Sequence, residues 1–397
     1  MGGGPAGLYF AILAKRLDPS QTVTVFERGP EGTTYGWGVV FWDGLLEDLE
    51  RTDPETARQV RDHAFRWSDL TVRVDADPPT REAGHGYSMG RQSLLSILIE
   101  RGRALGVELV FDREVVDVSE LADSDLIVAS DGVNSRIRQR RAGHFGTKVI
   151  RGRNPYMWLG TSKVFDSFTF PFVRVPEGLI WAHAYGFDSE NSTFIVETSP
   201  ETWRRLGFED LAPDDTMRRL EEIFRASLDG HELRPQAGTR DVTPWLNFQT
   251  VTNRKWHDGN LALMGDAAHT THFTIGSGTR LALEDAIGLA TQVRENAEIS
   301  SALNAYRKQR SADLIEAQRT ARNSAHWFEN ASRYSRYGTP QVARLMSRRR
   351  SSFLRRMPPG VYLRLIHAGH RAPVLTELAR RAVIGWRSLN RGWRRSR

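Results

Sequence analysis

Three glycines at the start of the chain, Gly2, Gly4 and Gly7, have the G-x-G-x-x-G spacing of dinucleotide-binding turns. Glycine permits a tight turn and close approach of the backbone to a pyrophosphate. The helix predicted over Pro5 to Leu17 would direct its N-terminal N–H groups at those phosphates. The following strand ends at Glu27, whose carboxylate can accept hydrogen bonds from both ribose hydroxyls. These features together predict a dinucleotide site rather than a plain turn.

This motif normally follows a buried strand, and the sequence leaves no room for one before Gly2. Because that strand is central in a doubly wound sheet, about five or six residues are expected to be missing. We expect weaker cofactor retention and lower stability for the chain as written.

Two later motifs place acids directly after short apolar strands. Asp131-Gly132 follows the strand Leu126 to Ser130, and Gly265-Asp266 follows the strand Leu261 to Met264. Ligands of open α/β sheets bind at the carboxyl ends of the strands, so these acids are candidates for the same site as the glycine turn. An ordinary turn at Asp131 and a helix N-cap at Asp266 are the alternatives.

The pattern of elements predicts an α/β protein with a Rossmann-like, mostly parallel sheet and an inserted, mainly antiparallel second sheet. Strands and helices alternate through the first 150 residues, whereas longer aromatic-rich strands follow from about residue 153. The predicted segments are the cofactor domain, the inserted substrate domain, the completion of the cofactor domain and an Arg-rich helical segment, at residues 1–152, 153–248, 249–330 and 331–397.

Composition narrows the chemistry. The chain has no cysteine, which excludes disulfides, thiolate metal sites and a cysteine nucleophile, so redox chemistry requires a bound cofactor and no metal site is expected. Neither a membrane span nor a signal peptide is predicted, which favours the cytoplasm. The net charge of +7 is uneven, because residues 331–397 contain 17 arginines, no lysine and one acid.

With these motifs in this order, the sequence resembles the class A flavoprotein monooxygenases, the single-component aromatic hydroxylases. The resemblance implies FAD as cofactor and NADH or NADPH as reductant, with Asp266 on the ribitol, Asp131 near the pyrophosphate and Arg91 on the phosphates. The residues assigned to FAD are Gly2, Gly4, Pro5, Ala6, Gly7, Glu27, Arg28, Arg91, Asp131, Asp266, Gly276, Gly278 and Thr279.

The loop after His269 departs from the common family pattern. Phe273 stands where most members have proline, and the loop ends in Gly276-Ser277-Gly278-Thr279. This version is similar to the salicylyl-CoA 5-hydroxylases and 2-aminobenzoyl-CoA monooxygenases, as are the phrases Trp158 to Thr161 and Trp181 to Tyr185. The implied substrate is an aromatic compound carried as a CoA or carrier-protein thioester, with molecular oxygen as co-substrate.

In such enzymes a flavin C4a-hydroperoxide hydroxylates an electron-rich ring, while the protein excludes water and holds the ring. His183 and Tyr185 on a predicted strand, and His272 beside the flavin loop, are the candidate catalytic residues. For each, a satisfied core role is the alternative.

Two other functions remain open at this stage. One is hydroxylation of a free or carrier-bound phenol or indole in secondary metabolism, and the other is a non-catalytic FAD-fold protein that binds a partner. The arginines around Arg348 to Arg350, Arg355 and Arg356 could contact phosphates, an anionic membrane or only solvent. No nucleic-acid-binding module accompanies them, and a homodimer is a candidate assembly.

Overall fold

The computed structural model describes residues 1–34, 36–235 and 244–371. Its helices are α1 (Pro5–Leu17), α2 (Asp43–Thr52), α3 (Pro54–His63), α4 (Arg91–Ala104), α5 (Arg136–Arg140), α6 (Ala142–Phe145), α7 (Pro200–Arg205), α8 (Pro213–Ile223), α9 (Arg225–Leu228), α10 (Gly278–Glu295), α11 (Ile299–Phe328), α12 (Thr339–Ser347) and α13 (Pro359–Arg371). Its strands are β1 (Thr24–Phe26), β2 (Gly38–Phe41), β3 (Phe65–Val74), β4 (Thr80–Gly90), β5 (Glu108–Val110), β6 (Ile127–Ala129), β7 (Lys148–Thr161), β8 (Phe168–Val175), β9 (Gly178–Gly186), β10 (Ser192–Thr198), β11 (Leu233–Arg234), β12 (Leu246–Thr252), β13 (His257–Asp258) and β14 (Leu261–Leu263).

The parallel layer is built from short apolar strands. β1 pairs with β5 and β6 pairs with β14, both in parallel. Met1 and Gly2 lie between these pairs: the Gly2 N–H donates to Phe26 O at 2.8 Å, and the Ser130 N–H donates to Met1 O at 2.9 Å. These two residues occupy the central position that a doubly wound sheet gives to the strand before the glycine motif.

The second sheet is larger and mainly antiparallel. In the described part of the chain its strands follow the order β11-β7-β10-β9-β8-β3-β4-β2, and β12 also pairs with β7. The sequence predicted the strands that became β7 to β10. It did not predict β2, β3 and β4, which come from residues 38–90 and join the far edge through the parallel pair β3–β8. The α/β class with two sheets is confirmed.

Alternation along the strands gives the second sheet two different faces. On one face, Phe194 and Val196 pack with Leu220 and Phe224 of the α8–α9 region. On the other, which we call the site face, the side chains of Trp181, His183 and Tyr185 alternate along β9. The end of α11 and helix α12 cover the site face through Trp327, Phe328 and Met346.

The Arg-rich segment is partly core. Arg348 and Arg349, which the sequence analysis treated as a phosphate-contacting or solvated cluster, are buried, so that expectation is wrong for these two residues. The Arg348 guanidinium donates to Met357 O at 2.8 Å and lies 4.8 Å from the centre of the Tyr362 ring. It thereby fastens the turn after α12 to the start of α13. Residues 372–397 of the predicted helical segment lie outside the described residues.

None of the helices that the structure describes has the length and apolar character needed to cross a bilayer.

Replacing Arg348 by methionine should destabilise the protein, because the carbonyls of Leu354 and Met357 would lose a charged donor inside the core. The expected loss in free energy of unfolding is about 2–4 kcal/mol, measured by urea denaturation. The matched control is Arg344→Met on the exposed side of α12, which should change stability by less than about 0.5 kcal/mol. Equal small effects would contradict a structural role for Arg348.

Candidate active site

The N-terminal turn requires glycine because other atoms fill the space of a side chain. Gly2 has φ +98°, and a Cβ placed there would lie 2.4 Å from Ser130 O. A Cβ on Gly7 would lie 2.2 Å from Gly2 O. Gly4, the N-cap of α1, has no atom within 4 Å of an added Cβ among the described residues, so its surroundings are open. The turn therefore packs tightly against β6 while leaving the N-terminus of α1 accessible to an anion.

Glu27 lies directly beside this turn at the end of β1. Its carboxylate accepts the Gly3 N–H at 2.6 Å and the Gly29 N–H at 2.8 Å. Both bonds fix the carboxylate at the carboxyl end of the parallel sheet, next to the start of α1. Its neighbour Arg28 is exposed on the surface.

Asp131 and the arginine at the end of its motif connect two of the sequence motifs. Asp131 Oδ2 accepts the Arg136 N–H at 3.0 Å, and its Oδ1 is buried without a hydrogen-bond partner among the described residues. Arg138 is buried and donates to Ala267 O at 3.1 Å, in the Gly265–Ala267 turn. The unpartnered oxygen of Asp131 is the kind of acceptor that a bound ligand would satisfy.

Asp266 and Arg91 lie close enough for their charges to interact, at the carboxyl end of the parallel strands, a region that we call the cleft. Part of the Asp266 side chain is exposed, but protein atoms surround it on most sides. The resulting desolvation raises the pKa of Asp266, and the charges of His269 and Arg91 oppose this shift. Burial correspondingly lowers the pKa of Arg91, which the Asp266 charge opposes. Arg91 opens α4 and donates to Thr34 Oγ1 at 3.0 Å. The structure thus brings a carboxylate and a guanidinium near each other at the end of the sheet.

A buried network that the sequence analysis missed holds the Asp266 turn. Asp285 of α10 is fully buried and accepts His269 Nε2 at 2.7 Å, Arg310 Nε at 2.8 Å and the Gly265 N–H at 3.1 Å. The hydrogen bonds and charges of His269 and Arg310 outweigh desolvation and lower the pKa of Asp285. The available signal was an acid on the otherwise apolar buried side of α10, next to Ala286 and Leu289.

The loop after His269 runs to the N-terminus of α10. Gly276 adopts φ +60°, and a Cβ there would lie 2.5 Å from Val40 Cγ2. Gly278 and Thr279 form the first turn of α10, and no described atom lies within 4 Å of a Cβ added to Gly278. This helix start offers N–H groups and a positive dipole end to an electron-rich group in the cleft.

His183 belongs to a buried polar cluster on the site face. Its Nε2 lies 2.9 Å from Glu197 Oε2, and Glu197 also accepts Asn154 Nδ2 at 2.7 Å and Trp181 Nε1 at 3.2 Å. Although burial alone would raise the pKa of Glu197, the hydrogen bond and charge of His183 lower it overall. His183 Nδ1 is buried without a partner in the described ranges. The cluster therefore holds a carboxylate charged inside the protein.

Tyr185 occupies a different environment two residues along β9. Its hydroxyl is buried and donates to Gly38 O at 2.8 Å, while the Gly38 N–H donates to Thr193 Oγ1 at 2.8 Å. Burial raises the pKa of Tyr185 far above its ordinary value. These contacts fasten the start of β2 to the centre of the second sheet.

His272 and Phe273 belong to the loop after His269, and their rings pack against the site face. The Phe273 ring lies 4.8 Å from Tyr156, 5.4 Å from His183 and 4.5 Å from His272, centre to centre. Burial lowers the pKa of His272 to about 4. Its Nδ1 accepts the Thr274 N–H at 3.4 Å, and the Thr274 hydroxyl lies 3.1 Å away.

Tyr156 is a residue that sequence reasoning missed. It lies on β7 opposite Glu197, and burial together with the charges of Asp266 and Glu197 raises its pKa to about 12. Tyr156 thus lies within electrostatic reach of both the cleft carboxylate and the buried cluster. An inward tyrosine on a predicted strand carried no distinguishing signal in the sequence.

Comparison with known proteins agrees with this arrangement. Residues 50–321 match a family model described as an FAD binding domain. The chain is 40% identical over 348 residues to a salicyloyl-CoA 5-hydroxylase from a Streptomyces species, covering 85% of this chain and 66% of that protein. It is 36% identical over 327 residues to a 3-hydroxy-4-methyl-anthranilyl-[aryl-carrier protein] 5-monooxygenase from Streptosporangium sibiricum, covering 82% and 87%.

The fold is similar to that of the tetrameric 2-methyl-3-hydroxypyridine-5-carboxylic acid oxygenase, with a TM-score of 0.66 and 20% identity over 87% of this chain and 95% of that chain. The family match and the relatives identify the chain as an FAD-dependent aromatic monooxygenase. The chain belongs to the FAD binding domain family, within the class A flavin monooxygenases. The resemblance stated from the sequence is confirmed.

Replacing Asp285 by asparagine should destabilise the protein and weaken FAD retention. The buried Arg310 would lose its main counter-charge, which costs about 3–5 kcal/mol, and the Asp266 turn would lose an anchor. Because the folded protein lowers the pKa of Asp285, its ionised carboxylate stabilises the wild type at every pH above the ordinary carboxylate pKa of about 4. This contribution is lost only as the pH falls below about 4.

Urea denaturation and flavin content after gel filtration measure both effects of Asp285→Asn. The control Glu295→Gln removes an exposed acid from the last turn of the same helix and should leave both quantities unchanged. Full flavin content and wild-type stability in Asp285→Asn would show that the network is dispensable.

Proposed function

We propose that this protein uses FAD and NAD(P)H to hydroxylate the aromatic ring of an aryl thioester, with an aryl-CoA of the salicyloyl or 2-aminobenzoyl type as the leading candidate. The observation that carries the proposal is the position of Phe273. This residue of the loop beside the cleft contacts Tyr156, His183 and His272 at once. A ring held there would lie between the cofactor cleft and the buried Glu197 cluster.

The residues around the cleft fit FAD. The N-terminus of α1 and Arg91 would hold the pyrophosphate, Glu27 the ribose and Asp266 the ribitol. The open first turn of α10 would lie along the flavin ring, and the unpartnered oxygen of Asp131 would accept a hydrogen bond from a donor group of the bound cofactor. Bound FAD would supply the electrons taken from NAD(P)H and the activation of molecular oxygen.

His272 would serve this reaction as a hydrogen-bond donor. Because its pKa is about 4, its ring is neutral at neutral pH. The Thr274 N–H lies 3.4 Å from Nδ1, and this contact favours the tautomer that carries the ring proton on Nε2. His272 would therefore present an N–H to a substrate oxygen or carbonyl.

Glu197 would act through His183. The pair is buried at 1–2% exposure, and the aromatic rings of Phe170, Phe273 and Phe328 surround His183. Such a dry, rigid wall excludes water from the reacting ring. The hydrogen bond between His183 Nε2 and Glu197 Oε2 at 2.9 Å also holds the imidazole in one orientation within this wall.

The thioester part of the proposal is supported by the names of two relatives, one acting on a CoA thioester and one on a carrier-protein-bound ring. The second favours a carrier-bound aromatic as the alternative substrate. The match covers 87% of the second relative, and this coverage supports the carrier-bound alternative.

The deciding assay is NAD(P)H oxidation by protein with a confirmed flavin spectrum. Salicyloyl-CoA and 2-aminobenzoyl-CoA are compared with their free acids and with an indole, and products are identified by mass. Stimulation by thioesters together with a hydroxylated product is expected. If only a free acid or the indole stimulates NAD(P)H oxidation, that compound and not the thioester is the substrate. If none of the compounds stimulates NAD(P)H oxidation, the proposal is overturned.

Replacing His272 by asparagine should lower kcat/KM for the aromatic substrate about tenfold, because one donor to a substrate oxygen is lost. The flavin spectrum should not change. Since His272 is neutral above about pH 5, the pH profiles of wild type and variant should run parallel between pH 6 and 8, roughly the range in which an ordinary histidine titrates.

The matched control for His272→Asn is His85→Asn on the exposed face of β4. It should retain wild-type kcat/KM. A step in the wild-type profile near pH 6–7, the range of an ordinary histidine, that is absent from His272→Asn would contradict the assignment of a neutral donor.

A further inference from the structure

The Arg-rich segment divides into buried residues and residues that face solvent, and two of the second kind, Arg333 and Arg355, lie near the end of α11. Four basic side chains come together there from four parts of the chain: Arg153 of β7, His326 of α11, Arg333 and Arg355. We call this group the basic surface. The Arg333 N–H donates to Asn330 O at 3.2 Å, just after α11, and Asn323 of α11 donates to Arg350 O at 3.2 Å and to Ser352 Oγ at 2.8 Å, which holds the segment before Arg355 against the same helix. Consistent with this placement, desolvation and the charges of Arg355, Arg333 and Arg153 lower the pKa of His326, while the charge of Glu329 opposes the shift.

Carboxylates compensate this charge only in part. The Arg153 side chain lies 3.8 Å from Glu201, and both groups are more than half exposed. One carboxylate oxygen of Glu329 accepts the Arg153 backbone N–H at 3.0 Å. Within the ranges that the structure describes, Arg333 and Arg355 form no ion pair, and Arg355 Nε is buried without a partner.

The basic surface is continuous with the proposed ring site. Gly152 precedes Arg153, and a Cβ placed on Gly152 would lie 3.5 Å from Phe248 O and 3.9 Å from Glu329 Oε1. The chain at Gly152 is therefore next to both residues. The Phe248 ring lies 4.6 Å from His272, which stacks on Phe273. A line of aromatic side chains therefore leads from the arginines to the loop beside the cofactor cleft.

We propose that the basic surface binds the phosphate ester at the far end of a pantetheine arm while the aryl thioester end reaches Phe248 and His272. Arginine suits this task because its planar fork matches phosphate oxygens. This inference rests on the proposed function, because the basic surface would recognise the part of the thioester substrate that lies outside the ring site. The phosphate could belong to CoA or to a carrier protein, which share this chemistry.

The test compares thioesters that carry the same salicyloyl group with and without phosphate. Salicyloyl-CoA, salicyloyl-phosphopantetheine and salicyloyl-N-acetylcysteamine are assayed with wild type and Arg333→Gln/Arg355→Gln. We expect the double variant to raise KM for both phosphate-bearing thioesters about 10- to 100-fold with kcat retained. KM for the N-acetylcysteamine thioester should not change. The control is Arg58→Gln on the exposed side of α3.

Salt gives a second expectation. In wild type, raising ionic strength from about 0.05 to 0.5 M should raise KM for salicyloyl-CoA and leave the N-acetylcysteamine thioester unaffected, because exposed charges are screened. The double variant should have lost this dependence. If a carrier-protein-bound salicyloyl group shows the same sensitivity, a carrier is a source as well.

Two results would overturn the inference. One is an equal change in KM for all three thioesters, and the other is no change for any. A purely structural role, in which these cations only balance the negative C-terminal end of α11, predicts a lower melting temperature with no discrimination among thioesters.

Binding of free CoA, measured by isothermal titration calorimetry, separates failure of this inference from failure of the proposed function. If no thioester is hydroxylated but CoA binds to wild type and not to the double variant, the proposed function fails and the basic surface stands as a phosphate site. If thioesters are hydroxylated while CoA binds both proteins equally, the inference fails alone.

Discussion

The buried carboxylate of Asp285 is the interaction on which the cofactor half of the molecule depends. It accepts hydrogen bonds from the backbone before Asp266, from His269 and from Arg310, and so connects the end of β14 to helices α10 and α11. Removing a charge from water is costly unless the charged atoms are hydrogen-bonded and paired, and here Oδ1 accepts Arg310 while Oδ2 accepts His269 and the Gly265 N–H. The position of Asp266 in the cleft follows from this anchor, because the turn that bears Asp266 is held at both ends.

Sequence patterns predicted the elements of the cofactor half because each leaves a local signal. The glycine turn, Glu27, Asp131 and Asp266 lie at the ends of short apolar strands, and the parallel topology alone brings such ends together. The helix predicted over Pro5 to Leu17 is α1, with the same ends.

Long-range pairing explains what the sequence did not reveal. Strands β2, β3 and β4 precede the inserted sheet in the chain, yet they complete its edge through the contact of β3 with β8. A period-two pattern shows that a strand is half-buried but not which sheet it joins. The same limit applies to Tyr156 and Glu197, whose importance comes from cross-strand pairing, and to Arg348, whose carbonyl partners follow it in an irregular turn.

Phe273 shows how a single departure from a family pattern can couple two halves of a protein. Where most members of the resembled family have a proline in this loop, this chain has a phenylalanine, and its ring contacts Tyr156, His183 and His272. A proline could fix the loop backbone but could not span the gap to the site face. The aromatic ring instead packs the loop directly against the second sheet. The loop beside the proposed cofactor site and the wall of the proposed ring site therefore share one packed contact, so a change in the volume of the Phe273 side chain would be felt on both sides.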